Sequence, residues 1–457
     1  MRNEELLGKK VLVIGSGLSG VGSVRLLHQV GAEVVLLDEN TKITVEDIRN
    51  KLHEEDCDNT QIIQELPDEI IESLYAVVPS PAVPLDSVTI TRLKDKNVKV
   101  WSEIEFAYRY SQGKLIAITG TNGKTTTTTL VGDIMKTYFE DTYVVGNIGF
   151  SYAERALEMT EKSVTTGEIS SFQLEAVDKF HANVSAILNI TPDHLNRHHT
   201  MECYAQMKFN VTNNQTKDDT CVLNYDNEYT REFGSKCPAT VVYFSSHEKL
   251  DNGFYLDGEE IFMAKDGKAE RVMNIHDMNL VGLCNVENVM AAIAISLAMG
   301  VPMNTILTVV HGFKAVEHRI EYVATKKGVD YYNDSKGTNP DAAIQGIRAM
   351  SKPTLLIGGG YDKGSEYDEW IENFGTKVKK LVLIGQTRDK IAECAKKHGF
   401  NDIEFKDTFR DAMEYCTENA APGDAVLLSP ACASWDMFPN YETRGKIFKD
   451  YVNELGD

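Results

Sequence analysis

The residues with the plainest capacity for chemistry lie in the stretch LIAITGTNGKTTTTTL, residues 115–130. Gly120-Thr121-Asn122-Gly123 supplies a run of small residues, Lys124 an amine and Thr125 a hydroxyl. Successive backbone N–H groups in such a turn make a concave anion site, and the positive end of a following helix adds to it. Lys124 then reaches the outer phosphates of a nucleotide, and the Thr125 hydroxyl sits on its Mg²⁺. Counted from Gly120 the spacing is GxxGKT, tighter than the common phosphate-loop form. The stretch predicts a nucleoside triphosphate site.

Two further groups fit that chemistry. Glu168 closes the run VTTG, at the strand end where a Mg²⁺ carboxylate usually stands. A helix-capping glutamate is the alternative for Glu168 read alone. His194 follows the apolar run 184–190 and Thr191-Pro192-Asp193, and its position at a parallel strand's end makes it a second candidate. His198 and His199 read as loop residues, and Lys208, on a helix over 204–210, reads as a solvated surface lysine. Asn285 and Asn288 open a helix of small apolar residues and would cap it in the simplest reading.

These groups need a scaffold of strand, loop and helix, and the sequence supplies it three times. The first is 9–38: a strand at 11–14, glycines at 15, 17 and 20, a helix, a strand at 34–37 and a terminal Asp38. This matches the dinucleotide fingerprint, with NAD and its ribose on Asp38 as one reading and another nucleotide's diphosphate as the second. A strand at 76–78 running into Pro79-Ser80-Pro81 gives a rigid loop at the same sheet edge, and 98–101 adds a last strand before the helix that Ser102 caps. The second opens with the phosphate loop, continues through 142–145 into Gly146-Asn147, and carries short strands at about 220–280 as an extra β layer. In the third, strands at 329–332, 354–357, 381–384 and 425–428 each run into a polar or glycine loop. GGGYDKG, 358–364, lacks a hydroxyl after Lys363 and predicts no Mg²⁺-nucleotide site of its own. The fold class expected is α/β with three domains, 1–112 Rossmann-like, 113–316 a phosphate-loop domain and 317–457 a second Rossmann-like domain.

Bulk properties narrow the partners. The chain has 457 residues, 42% apolar, with a formal charge of -21, which argues against a nucleic-acid partner. Eight scattered cysteines without a CxxC pair suit free thiols in a reducing cytoplasm. The N-terminal MRNEELLGKK runs straight into a strand, so no leader is expected, and no apolar run approaches the roughly 20 residues of a membrane span.

Taken together, GTNGKTT, EISSFQLE, NITPDH, NDSKGTNP and the three-domain layout resemble the Mur ligases of peptidoglycan precursor synthesis, over essentially the whole chain. GSGLSG and LSPACASWDMF point to the members that add D-glutamate. The resemblance implies an ATP-dependent amide ligase that joins D-glutamate to UDP-N-acetylmuramoyl-L-alanine through an acyl phosphate, acting as a monomer on small molecules. It turns the first domain from NAD to the uridine diphosphate sugar, with Gly17, Leu18, Ser19, Asp38 and Ser80 around it and Asn147 at the muramoyl-alanine end. It puts ATP on Gly120 to Lys124, Thr125, Thr126 and Thr127, with Asn285 and Asn288 at adenine and Arg319 and Asp334 at ribose and phosphates. Two Mg²⁺ ions are implied, on Thr125, Glu168, His194 and Lys208, the last as a carbamylated lysine that residue types alone do not suggest. Lys336, Thr338, Lys363, Ser434 and Phe438 fall around D-glutamate, and the third domain is expected to close over the reacting groups. Cys284 in place of a histidine, Ala82 in place of a glycine and Glu39 after Asp38 depart from the family pattern. Other acceptors within the family, and an NAD-dependent oxidoreductase, are the alternatives.

Overall fold

Runs rich in Val, Ile and Leu that are buried on both faces must lie in parallel sheets covered by helices, and three such sheets organise the computed structural model, which describes residues 4–314 and 316–456. The first sheet contains β1 (Lys10–Ile14), β2 (Glu33–Leu37), β3 (Thr60–Ile63), β4 (Leu74–Pro79) and β5 (Lys99–Val100), in the order β3-β2-β1-β4-β5. All its pairings are parallel. The strand order reverses between β1 and β4, which stay parallel, and that switch point opens the crevice in which ligands of such sheets bind. β3 went unforeseen because Thr60 and Gln61 interrupt any apolar run.

The second sheet contains β6 (Lys114–Thr119), β7 (Thr142–Gly146), β8 (Val164–Glu168), β9 (Val184–Ile187), β10 (Thr220–Asn224), β11 (Thr240–Ser245), β12 (Gly253–Asp257), β13 (Glu260–Lys265) and β14 (Lys268–Asn274). Its order is β14-β13-β12-β11-β10-β9-β6-β8-β7. β6 therefore lies between β8 and β9, and the loop after it sits between the two strand ends that carry Glu168 and lead to His194. The extra β layer expected at 220–280 is the far side of this sheet, where β12 and β13 turn antiparallel. The third sheet contains β15 (Glu321–Lys326), β16 (Val329–Asn333), β17 (Thr354–Gly358), β18 (Val378–Leu383), β19 (Ile403–Phe405) and β20 (Ala425–Leu428), in the order β15-β16-β20-β17-β18-β19. Only β15, which pairs with β16, is antiparallel.

The chain divides into two compact units. One ends at Met273 and takes in Val289–Val310; the other comprises Asn274–Asn288 and the chain from His311 on. Within the first unit, buried carboxylates fasten the helix Glu103–Tyr108 to the second sheet's flank. Glu105 accepts from the backbone N–H groups of Asp178, Lys179 and Phe180 and from Arg109. Glu103 accepts from Ser151 Oγ and the Ala153 N–H at 2.7 and 2.8 Å, and burial raises its carboxyl above the usual range. As expected from its sequence, Ser102 caps this helix through the Glu105 N–H. All eight cysteines are free thiols, and no described helix is long and apolar enough to cross a membrane.

The tightest backbone approach in the first sheet lies in its glycine loop. A Cβ on Gly20 would stand 1.9 Å from the Gly15 carbonyl oxygen, whereas one on Gly17 would meet nothing within 4 Å. Gly20→Ala is accordingly expected to destabilise the protein by about 1–3 kcal/mol through forced displacement of the loop. Gly17→Ala should melt like the parent. Thermal melting of both variants checks this, and equal melting temperatures would contradict it.

Candidate active site

β6 ends in the phosphate loop. Gly123, in the left-handed region at φ 84°, caps the helix Lys124–Tyr138 and aims its first N–H groups into the turn. The loop is clamped from β9's extension: Asn189 Oδ1 accepts from the Asn122 N–H at 2.8 Å and its amide donates to the Asn122 carbonyl at 3.1 Å. Thr121 is buried, bonded to the Thr191 carbonyl and the Tyr204 hydroxyl. Lys124 Nζ lies over the loop, donating to the carbonyls of Gly120 and Thr121 at 3.0 and 2.8 Å. Thr125 is half-buried on the first helical turn, with Thr126 and Thr127 buried behind it. Asn189 and Tyr204 were not legible as functional; a polar residue in an otherwise apolar run was the only signal for Asn189.

Glu168, 1% exposed, accepts from Asn147 Nδ2 at 2.8 Å through Oε1, while its buried Oε2 has no hydrogen-bond partner. A buried carboxylate oxygen left in that condition costs free energy unless a cation comes to it. Asn147, expected at the substrate's alanine end, thus holds Glu168 as well. His194 lies seven residues beyond the end of β9 rather than at it, because it caps the helix Leu195–His198; at φ 54° it stands edge-on to Phe172 with centroids 4.8 Å apart.

The surface reading of Lys208 is overturned. Its side chain is buried, with Nζ donating to the Gly120 carbonyl at 2.8 Å and 4.6 Å from the Tyr204 ring centroid. The cause is register. The helix runs Met201–Phe209, earlier than expected, and turns Tyr204, Ala205 and Lys208 inward together. Burial first and the Lys124 charge second hold the Lys208 amine well below the usual lysine range, with Asp193 pulling the other way. His198 is likewise no loop residue. It is buried between Phe172 and Tyr204, within 3.0 Å of Ser171 Oγ, and burial with the positive charge of Arg197 pushes it down to about 4. His199 is exposed.

At the first sheet's switch point the expected residues converge. Asp38 at the end of β2 accepts from the Ser16 N–H and hydroxyl at 2.9 and 2.5 Å and from the Asn40 N–H. Burial works against its charge, but these bonds outweigh it and hold the carboxyl below its usual range. Ser80, after β4, bonds to the Gly15 carbonyl. Leu18 is 86% exposed at the lip, beside Gly17 and Ser19. Arg197 ties the proline loop down by donating to the Pro81 and Val83 carbonyls.

In the second unit, Asp334 at the end of β16 is fully buried. It accepts from Ser429 Oγ at 2.7 Å and the Ile320 N–H at 3.2 Å, with Arg319 at 4.0 Å. Asn285 and Asn288 are buried in the first turns of the helix Leu283–Ala298, bonded to each other at 3.1 Å rather than acting as caps. Cys284 sits beside them, its thiol pushed up to about 12 by burial. Lys336 and Thr338 occupy the loop after β16; Lys363 is 6.0 Å from the Trp435 ring centroid. Ser434 is buried with an unpartnered Oγ. Phe438 is the exception among these: its ring packs into the core against Phe409, and only its N–H reaches Ser434. Arg444, 1% exposed, joins two of the loops by donating to Ser335 and to the Cys432 carbonyl. Nothing in the sequence singled it out.

Burial pushes Asp334 up to about 6, against the pull of Arg319 and Ser429, from 3.8 as a free side chain. Between those values the folded chain holds a proton that the unfolded chain has lost, so stability falls as pH rises from about 4 to about 6. Two units of separation correspond to about 3 kcal/mol at most. The urea midpoint of the parent is expected to fall relative to that of Asp334→Asn across this window. A gap constant with pH would contradict it.

Comparison with known proteins identifies the family and the fold. Residues 118–296 match the Mur ligase middle domain and residues 318–432 the Mur ligase, glutamate ligase domain. The UDP-N-acetylmuramoylalanine–D-glutamate ligase of Lachnospira eligens is 56% identical over 451 residues, 99% of this chain and 100% of that one. That of Clostridioides difficile is 45% identical over 452 residues, with 99% and 100% covered. Among solved structures, the UDP-N-acetylmuramate–alanine ligase MurC of Thermotoga maritima aligns with a TM-score of 0.61 at 17% identity, covering 97% of this chain and 99% of that one. MurF of the same organism, in complex with ADP, aligns at 0.58 and 14%, covering 99% and 97%. The chain belongs to the Mur ligase family, among the UDP-N-acetylmuramoylalanine–D-glutamate ligases.

Proposed function

We propose that the protein joins D-glutamate to UDP-N-acetylmuramoyl-L-alanine at the expense of ATP, in peptidoglycan precursor synthesis. The observation that carries this reading is the pair of buried groups flanking the phosphate loop, Glu168 with its unpartnered oxygen and Lys208 beneath Gly120. The names of the relatives at 56% and 45% identity support the substrates. A carboxylate cannot acylate an amine directly, because oxide does not leave. The substrate's alanyl carboxylate attacks the γ-phosphorus of ATP, the bond to the β-phosphate oxygen breaks, and ADP departs. The D-glutamate amine then attacks the acyl carbon, phosphate leaves with the bonding pair, and the amine's extra proton passes to solvent. The backbone N–H groups of the loop and Lys124 hold the phosphates in line.

The donor set fits divalent cations: Glu168 Oε2, His194, the Thr125 hydroxyl and a carbamate on Lys208 would hold Mg²⁺, in two ions. When bound, Mg²⁺ supplies neutralisation of charge on the transferring phosphoryl group. Lys208 is suited to carbamylation because burial lowers its amine's hold on a proton and carbamylation needs the unprotonated amine. The Nζ lone pair attacks CO₂, one proton is lost, and one N–H remains for the Gly120 carbonyl.

Gly17, Leu18, Ser19, Asp38 and Ser80 take the uridine diphosphate, and Asn147 reaches toward the alanyl end. Asn285, Asn288, Arg319 and Asp334 take the adenosine, while Lys336, Thr338, Lys363 and Ser434 meet the two carboxylates of D-glutamate. Phe438 serves from behind, through its backbone bond to Ser434. Domain limits at 112 and 316, a cytoplasmic location and a monomeric state complete the proposal; the eight free thiols support a reducing compartment. The test is phosphate release from ATP with UDP-N-acetylmuramoyl-L-alanine and D-glutamate, L-glutamate or no amino acid. Release confined to D-glutamate is expected; release with none of the acceptors would overturn the reading.

A further inference from the structure

A second cluster of metal-binding side chains lies apart from these groups, wholly within the second unit. Cys394 and His398 are one helical turn apart at the end of the helix Arg388–Lys397, so they share a face. Asp368, the first residue of the helix Asp368–Glu372, lies opposite them. Ligand atoms of Asp368, Cys394 and His398 all fall within 4.8 Å of one another, and all three residues are half-buried. His398 Nε2 is 2.8 Å from Asp368 Oδ1, and its Nδ1 is 3.5 Å from Glu372 Oε1.

We propose that Asp368, Cys394 and His398 form a zinc site, with Glu372 orienting the histidine and water completing the tetrahedron. A thiolate, an imidazole and a carboxylate are the ligand types zinc takes, and a thiolate disfavours Mg²⁺. At zinc–ligand lengths of about 2.0–2.3 Å, tetrahedral ligand atoms stand about 3.3–3.8 Å apart, so the hydrogen-bonded His398–Asp368 pair opens slightly from 2.8 Å and any pair nearer the 4.8 Å limit closes in. A ligating histidine characteristically gives its other ring N–H to a carboxylate, and Glu372 occupies that position. The negative end of the helix Arg388–Lys397 adds attraction for a cation. The two charges of zinc are balanced by one carboxylate and one thiolate.

Two changes accompany binding. Burial and the Asp368 charge push the Cys394 thiol up to about 11, so zinc displaces its proton. Lys397, now 2.8 Å from Asp368 Oδ1 and largely exposed, swings into solvent. The bound ion would cross-link the two helices. The helix Arg388–Lys397 also supports the loop that carries Lys363, because Lys390 donates to the Ser365 carbonyl at 2.8 Å. Zinc thereby stiffens the mount of that loop.

The experiment is Co²⁺ titration of the full-length reduced protein in excess Mg²⁺, read by thiolate-to-cobalt charge-transfer absorption. Glu168 and His194 bring no thiol, so the band reports only cysteine ligation. One equivalent is expected to produce the band, and one equivalent of zinc to abolish it. Cys394→Ser should remove the band and Glu372→Gln should weaken affinity about 10–100-fold, whereas Cys203→Ser should change neither. Melting in the presence of a chelator confirms that each variant is folded, and Asp368→Asn stands in for any that is not. Absence of the band, or its survival in Cys394→Ser, would overturn the site.

Discussion

Replacing Lys124 by methionine is expected to lower kcat by about 10³–10⁵-fold while changing the dissociation constant of ATP by no more than about tenfold. The asymmetry follows from where the amine rests and what it meets. In the structure Lys124 Nζ donates to two carbonyls of its own loop, at 3.0 and 2.8 Å. A nucleotide's outer phosphates exchange these neutral acceptors for anionic ones, and the gain grows as charge builds on the oxygens of the transferring group. Methionine keeps the length and apolar stem of the side chain, so the loop retains its shape and its N–H groups still hold phosphates. Single-turnover acyl-phosphate formation, beside equilibrium binding of a fluorescent ATP analogue, separates the two quantities. A variant that binds ATP about 10³-fold more weakly but reacts normally once saturated would show that Lys124 binds the ground state instead.

Lys208→Ala carries the second largest expected loss, about 10²–10³-fold in kcat. Lys208→Arg should fare no better, although it preserves the positive charge. Arginine cannot form a carbamate, and its larger planar head does not fit a site where Nζ is sealed against the Gly120 carbonyl and the Tyr204 ring. Parent enzyme stripped of CO₂ at mildly acid pH should lose activity and regain it with bicarbonate, and ¹³C-labelled bicarbonate should give a carbamate resonance absent from both variants. Activity indifferent to bicarbonate, with no such resonance, would leave Lys208 a structural lysine.

The same two lysines show what the sequence can and cannot disclose. Lys124 was legible because its surroundings are local: strand, glycines, lysine and threonine stand within ten residues, and each constrains the next. Lys208 was not, since its burial depends on a helix that starts at Met201 and packs Tyr204 against Thr121, 83 residues away. His198 escaped for a similar reason, being enclosed by Phe172 and Tyr204 from separate segments. Most strands declared themselves through Val, Ile and Leu, yet β3 and β15 did not. Their polar faces, such as Gln61 and Thr325, belong to edge strands, which need apolar residues on one side only. Arg444 was opaque because an arginine has no sequence mark that distinguishes a surface charge from a buried tie between loops. The family motifs supplied the roles proposed for Asn285, Asn288 and Lys336, which no periodicity indicates.

Packing explains why the glycines of the loop GGGYDKG are needed. A Cβ on Gly359 would meet the Ile384 carbonyl oxygen at 2.1 Å, and one on Gly360 the Ala433 carbonyl oxygen at 2.3 Å. The loops after β17, β18 and β20 are therefore keyed backbone to backbone at these two glycines, and the Thr387 side chain adds bonds to the Gly360 N–H and carbonyl. Over evolutionary time such a seam separates two kinds of change: substitutions at the glycines break the rim, whereas substitutions at Lys336, Thr338 and Lys363 alter what the rim presents. On the proposed assignment of those three side chains to D-glutamate, a different acceptor amino acid would be sought by redesigning them on an unaltered frame.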